Sequence, residues 1–135
     1  MNEQSKEFLY KYLNNASPTG FESSGQQIWL DYLKPYSDEY IVDTYGTAVA
    51  VVGPGKEYSV VIEAHSDEIS WFVNYIDDNG YIYVRRNGGS DALIAPSMRV
   101  NLHTKKGTVV GVFGWPAIHV RDREKDTVPK VTDLT

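Results

Sequence analysis

A short run of mostly apolar residues in the middle of the chain, at positions 58–62, leads directly into His65 and Asp67. Nearly continuous apolar character over such a length is typical of a β-strand that is covered on both faces. Strands of this kind occur in α/β proteins, whose active sites lie at the carboxyl ends of the strands. Because residues i and i+2 of an extended chain point to the same side, His65 and Asp67 are predicted to project together from the end of a buried strand.

Two helices are predicted before this strand. The first ends in the turn-forming residues 14–20, and the second begins near Ser23 and ends near Leu33, just before Pro35. Ser23 and Gln26 have the spacing of a capping box, in which the two side chains satisfy backbone N–H groups at the start of a helix. We therefore expect the first part of the chain to be helical.

Strand-forming residues dominate from Tyr40 onward. Short runs at 40–42 and 47–52 predict two strands that precede the run at 58–62. Two β-hairpins are predicted beyond Ser70, one that turns at residues 77–80 and one that turns at residues 105–107. The pattern predicts an α/β fold with a boundary near Ser70, followed by a small antiparallel β-barrel.

Charge and composition argue against several classes of function. The formal net charge is −5, and the basic residues do not cluster as phosphate binding requires, so no nucleic-acid partner is expected. No apolar run approaches the length of a membrane span, and the first residues lack the basic-then-apolar order of a signal peptide. A cytoplasmic location without membrane association is the expectation. The absence of cysteine excludes thiolate metal sites and a cysteine nucleophile.

His65 and Asp67 are the residues whose types and spacing indicate chemistry. Zinc binds neutral imidazole, and a ligating histidine usually donates its other ring N–H to a carboxylate that fixes its orientation. The alternative is a structural histidine that is hydrogen-bonded to Asp67 for local reasons alone. A catalytic site needs about three protein ligands, and neither His103 nor His119 lies in a pattern that completes one.

An ordered series of short motifs resembles one known family. The motifs are Ser17-Pro18-Thr19-Gly20-Phe21-Glu22, Asp43-Thr44-Tyr45-Gly46, Glu63-Ala64-His65-Ser66-Asp67-Glu68-Ile69, Ile76-Asp77-Asp78-Asn79-Gly80, Gly88-Gly89 and Val109-Val110-Gly111-Val112. In this order they are similar to the N-terminal part of the dinuclear-metal glutamyl and deblocking aminopeptidases, the tetrahedral-shell family. No single motif is decisive, but the series covers nearly the whole chain.

The resemblance implies a metal-dependent aminopeptidase that releases N-terminal residues from peptides. It implies that residues 1–70 are the N-terminal part of a catalytic α/β domain and that residues 71–135 are part of an inserted β-barrel domain that contributes to dimerisation. In such enzymes the histidine that matches His65 binds one of two metal ions, usually zinc or cobalt. The aspartate that matches Asp67 orients that histidine. A homo-oligomer is expected on the same grounds.

The family's remaining metal ligands and its general base have no match in this chain. Residues 130–134 resemble the run that leads back into the catalytic domain, so the missing carboxylates and the last histidine are expected beyond Thr135. We therefore expect this chain alone to bind metal weakly or not at all, and to be inactive. The alternative function is a non-catalytic oligomerisation or interaction module in which His65 is structural.

Overall fold

The chain is seen in a computed structural model that describes residues 1–121. Two α-helices, six β-strands and two 3₁₀ helices follow in this order: α1 (Glu3–Leu13), α2 (Ser23–Leu33), a 3₁₀ helix (Lys34–Tyr36), β1 (Glu39–Val42), β2 (Ala48–Val51), β3 (Ser70–Ile76), β4 (Ile82–Asn87), β5 (Arg99–Thr104), β6 (Gly107–Val112) and a 3₁₀ helix (Ile118–Val120). The predicted mixture of helices and strands is confirmed. Residues 130–134, which resemble the run that leads back into the catalytic domain, lie outside the described residues.

The chain divides into two compact units. One unit is Met1–Glu68, which contains both α-helices, β1, β2 and the segment that carries His65 and Asp67. The other unit begins at Ile69 and contains the two later hairpins. The assignment of residues 1–70 to a catalytic domain and of residues 71–135 to an inserted domain stays a prediction. No helix within residues 1–121 has the length and apolar character that crossing a membrane requires.

Helices α1 and α2 pack through aromatic side chains. The Asn2 side chain caps α1 by accepting a hydrogen bond from the Ser5 backbone N–H at 2.7 Å. The Phe8 and Tyr32 rings stack with centroids 4.0 Å apart, and the Ser5 and Tyr32 hydroxyls lie 2.8 Å from each other. These contacts hold the two helices together and place the loop that joins them.

Helix α2 begins and ends where the sequence predicts, but the predicted capping box is wrong. Glu22 occupies the N-cap position, so Ser23 is already helical and cannot cap. The Gln26 side chain instead donates to the Ser66 hydroxyl at 3.4 Å. The Glu22 carboxylate accepts from the backbone N–H of Gly20 at 2.6 Å. Because the Gln26 side chain bonds to Ser66, it does not reach back to the start of α2 to complete the capping box.

Strands β1 and β2 form an antiparallel hairpin, with Glu39 opposite Val51 and Val42 opposite Ala48. One carboxylate organises the turn between them. Asp43 accepts from the backbone N–H groups of Tyr45 and Thr47 at 2.9 and 2.8 Å. Gly46 completes the turn with a φ of +88°, which glycine adopts without strain.

The predicted buried strand at residues 58–62 is wrong for the described chain. These residues form no strand, and their apolar side chains are exposed, Val61 at 81% and Ile62 at 97%. Strands β1 and β2 pair only with each other, so nothing in residues 1–121 forms a ladder with this run. His65 and Asp67 therefore do not project from a buried strand. An apolar run can be buried only where other elements cover it, and local sequence does not supply those elements.

Both predicted later hairpins are confirmed. Strand β3 pairs antiparallel with β4, with an irregularity between Val73 and Tyr75, and β5 pairs antiparallel with β6. A small core of Ala95 and Phe113 lies in this unit, where the Trp71 ring contacts Phe113 edge-on at 5.2 Å. Every sheet in the described part of the chain has two strands, so the closed barrel stays a prediction.

Candidate metal-binding site

A loop near the start of the chain holds the segment that follows the exposed apolar run. Pro18 and Glu68 form an isolated parallel β-bridge. The backbone N–H of Glu68 donates to the Ser17 carbonyl at 2.9 Å, and the backbone N–H of Thr19 donates to the Glu68 carbonyl at 3.4 Å. The Glu68 carboxylate also accepts from the Ser17 N–H at 2.8 Å. This bridge positions residues 65–68, although residues 58–62 pair with no strand in the described part of the chain.

His65, Asp67 and Thr19 are joined by short hydrogen bonds. His65 Nδ1 lies 2.9 Å from Asp67 Oδ1 and 3.0 Å from the Asp67 carbonyl oxygen. The Thr19 hydroxyl donates to the other carboxylate oxygen, Asp67 Oδ2, at 2.6 Å. The predicted pairing of His65 with Asp67 is therefore present, although the segment that carries them is not a strand. Thr19 is a third member of the group.

The partners of His65 fix which ring nitrogen carries the proton. A carboxylate oxygen and a carbonyl oxygen can only accept, so Nδ1 must be the N–H donor. In the neutral imidazole Nε2 is then unprotonated and has a lone pair available, which is the form that binds a metal ion. The His65 side chain is 85% exposed, whereas that of Asp67 is 33% exposed. The ring is thus held at one nitrogen and open at the other.

Hydrogen bonds also keep Asp67 ionised. The Thr19 hydroxyl and then the His65 ring hold the pKa of the Asp67 carboxyl below its ordinary value, because both stabilise the charged form. A carboxylate that stays charged is the acceptor that an Nδ1–H tautomer requires. The electrostatics and the geometry therefore agree on the same protonation pattern.

A cleft of about 140 Å³ lies beside the histidine, within the first unit. Its wall combines residues from the end of α1, the following loop and the histidine segment, namely Tyr12, Leu13, Asn15, Ser17, His65, Ser66, Asp67 and Glu68. His103 lies on β5 and His119 in the second 3₁₀ helix, both in the other unit. Within residues 1–121, no three side chains of His, Cys, Asp or Glu are grouped as a metal site requires.

Thr19, Ser17 and Glu68 were missed by the reasoning from residue types. The sequence of residues 17–20 indicates only a turn that ends a helix, because serine, proline and glycine are common in turns for local reasons. Thr19 and Asp67 are 48 positions apart, and nothing in their local patterns links them. The resemblance to a known family did include both segments, which is the one signal that pairs them.

Comparison with known proteins agrees with that resemblance. The family profile described as M42 glutamyl aminopeptidase matches residues 46–135. The chain belongs to this family. The family resemblance drawn from the ordered motifs is therefore confirmed.

Proteins that are similar to this chain are longer than it is. A lysyl aminopeptidase of Pyrococcus furiosus is 34% identical over 93% of the chain, but the match covers 36% of that protein. A TET aminopeptidase from a marine sediment archaeon of the Thaumarchaeota superposes with a TM-score of 0.91 at 25% identity, over 98% of the chain and 37% of that structure. The TET1 peptidase of Pyrococcus horikoshii, described as assembling into a tetrahedron or a large octahedral shell, gives a TM-score of 0.80 at 30% identity, over 95% and 38%. The chain thus spans slightly more than a third of the length of these relatives.

Proposed function

We propose that this chain is part of a metal-dependent aminopeptidase that releases N-terminal residues from peptides. Membership of the M42 family and the similarity to proteins named as aminopeptidases support the reaction class. The observation that carries the proposal is the arrangement of His65, which is held at Nδ1 by Asp67 and open at Nε2. A family member with this arrangement has one histidine prepared to bind a metal ion.

His65 Nε2 would hold one of two divalent metal ions, zinc or cobalt, and Asp67 would orient the ring. Bound divalent ions in such a site polarise the carbonyl of the scissile bond and make water a better nucleophile. Asp67 contributes by keeping the proton on Nδ1, so that Nε2 stays available as a ligand. Because no three potential ligand side chains are grouped within residues 1–121, this chain by itself should bind metal weakly and should not turn over peptides.

The same proposal assigns the two parts of the chain to different domains. Residues 1–70 would be part of the catalytic domain, and residues 71–135 would be part of an inserted β-barrel domain that contributes to a homo-oligomer. The two hairpins of the second unit support a β-rich domain there. Solved relatives are described as a dodecamer and as shells, which supports an oligomer. We propose a cytoplasmic location and no nucleic-acid or membrane partner.

A chimera tests the proposed activity. This chain would replace the matching segment of the Pyrococcus furiosus lysyl aminopeptidase, and release of N-terminal residues from short peptides would be measured with and without a chelator. We expect turnover that the chelator abolishes and that zinc or cobalt restores. His65→Ala should abolish turnover, whereas His103→Ala, the matched control at an exposed histidine on β5, should not. An active chimera that is unaffected by His65→Ala would contradict the assigned role.

The second candidate function is a non-catalytic oligomerisation module with a structural His65. The exposed apolar side chains at residues 58–62 favour it, since such surfaces mark contacts between chains. Calorimetry and sedimentation of the isolated chain separate the two functions. Submicromolar zinc or cobalt binding by the chain alone would contradict our expectation of weak binding. A defined oligomer combined with a chimera that lacks activity would favour the module.

A further inference from the structure

We propose that Thr19 is a positioning residue whose hydroxyl holds the Asp67 carboxylate in the one orientation in which that carboxylate fixes His65. This inference rests on the proposed function for the metal that His65 would bind, but the hydrogen-bond geometry stands independently of it. Thr19 belongs to the loop after α1, and His65 and Asp67 belong to the segment before β3. The loop therefore controls a side chain that the later segment presents.

The two oxygens of the Asp67 carboxylate accept hydrogen bonds from two different donors. Oδ1 faces His65 Nδ1 at 2.9 Å, and Oδ2 accepts from the Thr19 hydroxyl at 2.6 Å. An aspartate that bonds through one oxygen can still rotate about its side-chain torsions. A second bond at the other oxygen removes that freedom and fixes the plane of the carboxylate. His65 restrains one oxygen of the carboxylate, and its own side chain is 85% exposed, so the second restraint comes from Thr19.

Thr19 is itself fixed by backbone contacts. Its N–H donates to the Glu68 carbonyl at 3.4 Å, next to the Pro18–Glu68 bridge. Threonine is stiff about its first side-chain torsion because it is branched at Cβ. The hydroxyl of a stiff side chain on an anchored backbone has few positions available. The position of the loop therefore determines where the Thr19 hydroxyl holds the Asp67 carboxylate, and the carboxylate in turn orients the histidine ring.

The test uses Thr19→Val, which keeps the branched shape and removes the donor, and Thr19→Ser, which keeps the donor. The His65 tautomer is measured by ¹⁵N NMR at a pH where the imidazole is neutral, and the Asp67 rotamer is measured by side-chain couplings. We expect wild type and Thr19→Ser to show His65 protonated at Nδ1 and a single Asp67 rotamer. Thr19→Val should show rotamer averaging at Asp67 and a larger share of the Nε2–H tautomer, because the Asp67 carbonyl oxygen, 3.0 Å from Nδ1, would then be the one constant acceptor.

Amide protection at Ser17 and Glu68 shows whether the loop stays docked in each variant. Unchanged protection together with a changed tautomer in Thr19→Val supports a positioning role. If the loop undocks in Thr19→Val, the result for Thr19→Ser is used instead. The wild-type His65 tautomer in Thr19→Ser supports the role of the hydroxyl, and loss of that tautomer in Thr19→Ser overturns it. Identical tautomers and rotamers in wild type and Thr19→Val would also overturn the proposal.

Cobalt binding to the chimera separates this inference from the proposed function. Loss of a side chain that hydrogen-bonds a metal ligand typically weakens metal binding about 10- to 100-fold. Thr19 acts on His65 through Asp67, so we expect a loss near the lower end of this range, about 10-fold, for Thr19→Val and no loss for Thr19→Ser. A chimera that binds no cobalt in any form would refute the metal role of His65. The NMR result would still support Thr19 as the residue that positions Asp67. Equal cobalt affinity in wild type and Thr19→Val would overturn the positioning role.

Discussion

Single carboxylates fix local geometry at two places in the first unit. Asp67 accepts from His65 and Thr19, and Asp43 accepts from two backbone N–H groups of its own turn. The sequence predicted the pairing of His65 with Asp67, since an i, i+2 relation is a local one. It did not predict Thr19, because a hydroxyl 48 positions away is brought to the carboxylate only by the folded chain.

At Asp43 we expect the turn between β1 and β2 to lose stability in acid. Backbone N–H groups, that of Thr47 first, hold the pKa of the Asp43 carboxyl below its ordinary value of 3.8. A group whose pKa is lowered by folding contributes stability that is present above its unfolded pKa and is lost as the pH falls through its folded pKa. The Asp43 carboxylate should therefore contribute its full stabilisation to the hairpin at neutral pH, and this contribution should be lost as the pH falls below 3.8.

Urea unfolding followed by circular dichroism at neutral and acidic pH measures this contribution. Asp43→Asn is the matched control, because the amide keeps an oxygen acceptor and cannot be protonated in this range. We expect a smaller acid-dependent loss in Asp43→Asn and a lower stability in Asp43→Ala at neutral pH. Equal pH dependence in wild type and Asp43→Asn would show that Asp43 does not contribute.

At the scale of an element, α2 combines predictable ends with a contact that only packing creates. Its start at Ser23 and its end at Leu33 follow from the turn residues before it and from Pro35 after it. The close approach of α2 to the loop that contains Ser17 does not follow from these residues. Gly25 is the buried residue of α2, and a methyl group there would overlap the Ser17 hydroxyl. The hydroxyl of Ser17 also accepts from the Asn15 side chain at 3.1 Å.

Gly25→Ala should destabilise the first unit. In an open helix this change stabilises by up to about 1 kcal/mol, but overpacking a tight contact costs about 1–3 kcal/mol. The clash should therefore outweigh the gain in helix propensity. Urea unfolding of Gly25→Ala, Ser17→Ala and the double variant forms a cycle that isolates the contact.

The double variant is the informative member of this cycle. Removal of the Ser17 hydroxyl leaves its Cβ 3.3 Å from the new methyl group, which is tight but is not an overlap. Gly25→Ala should therefore cost less in the Ser17→Ala background than in wild type. Equal costs in the two backgrounds, or a gain in stability for Gly25→Ala alone, would show that the approach to Ser17 does not limit this position.

At the scale of the whole molecule, much apolar surface stays outside a core. Ala95 and Phe113 are the buried apolar residues of the described chain, whereas Val60, Val61 and Ile62 are 73%, 81% and 97% exposed. Exposed apolar runs with unpaired backbone groups promote pairing between chains. We therefore expect the isolated chain to associate as its concentration rises.

Ile62→Lys tests this expectation, since it places a charge in the exposed run and removes no buried contact. Tyr45→Lys is the matched control, because Tyr45 is also 97% exposed but lies in the turn between β1 and β2. Sedimentation velocity should show wild type and Tyr45→Lys shifting to larger species at high concentration. Ile62→Lys should stay closer to the monomer. Equal association of all three proteins would show that another surface is responsible.

The sequence by itself determined the local elements and the chemistry of the histidine segment. Helix ends, the strands β1 and β2 and the two later hairpins follow from turn residues and from side-chain periodicity, which act within a few residues. The pairing of His65 with Asp67 follows from their spacing. The family resemblance followed from the order of short motifs along the chain.

Only the tertiary structure decided where the histidine segment is held and what holds it. The apolar run at 58–62 has strand-like residues but no neighbours that cover it in residues 1–121, so composition alone predicted the wrong environment. The bridge between Pro18 and Glu68 and the bond from Thr19 to Asp67 join distant parts of the chain. Local patterns determine what a residue can do, whereas contacts across long separations determine which partners it finds.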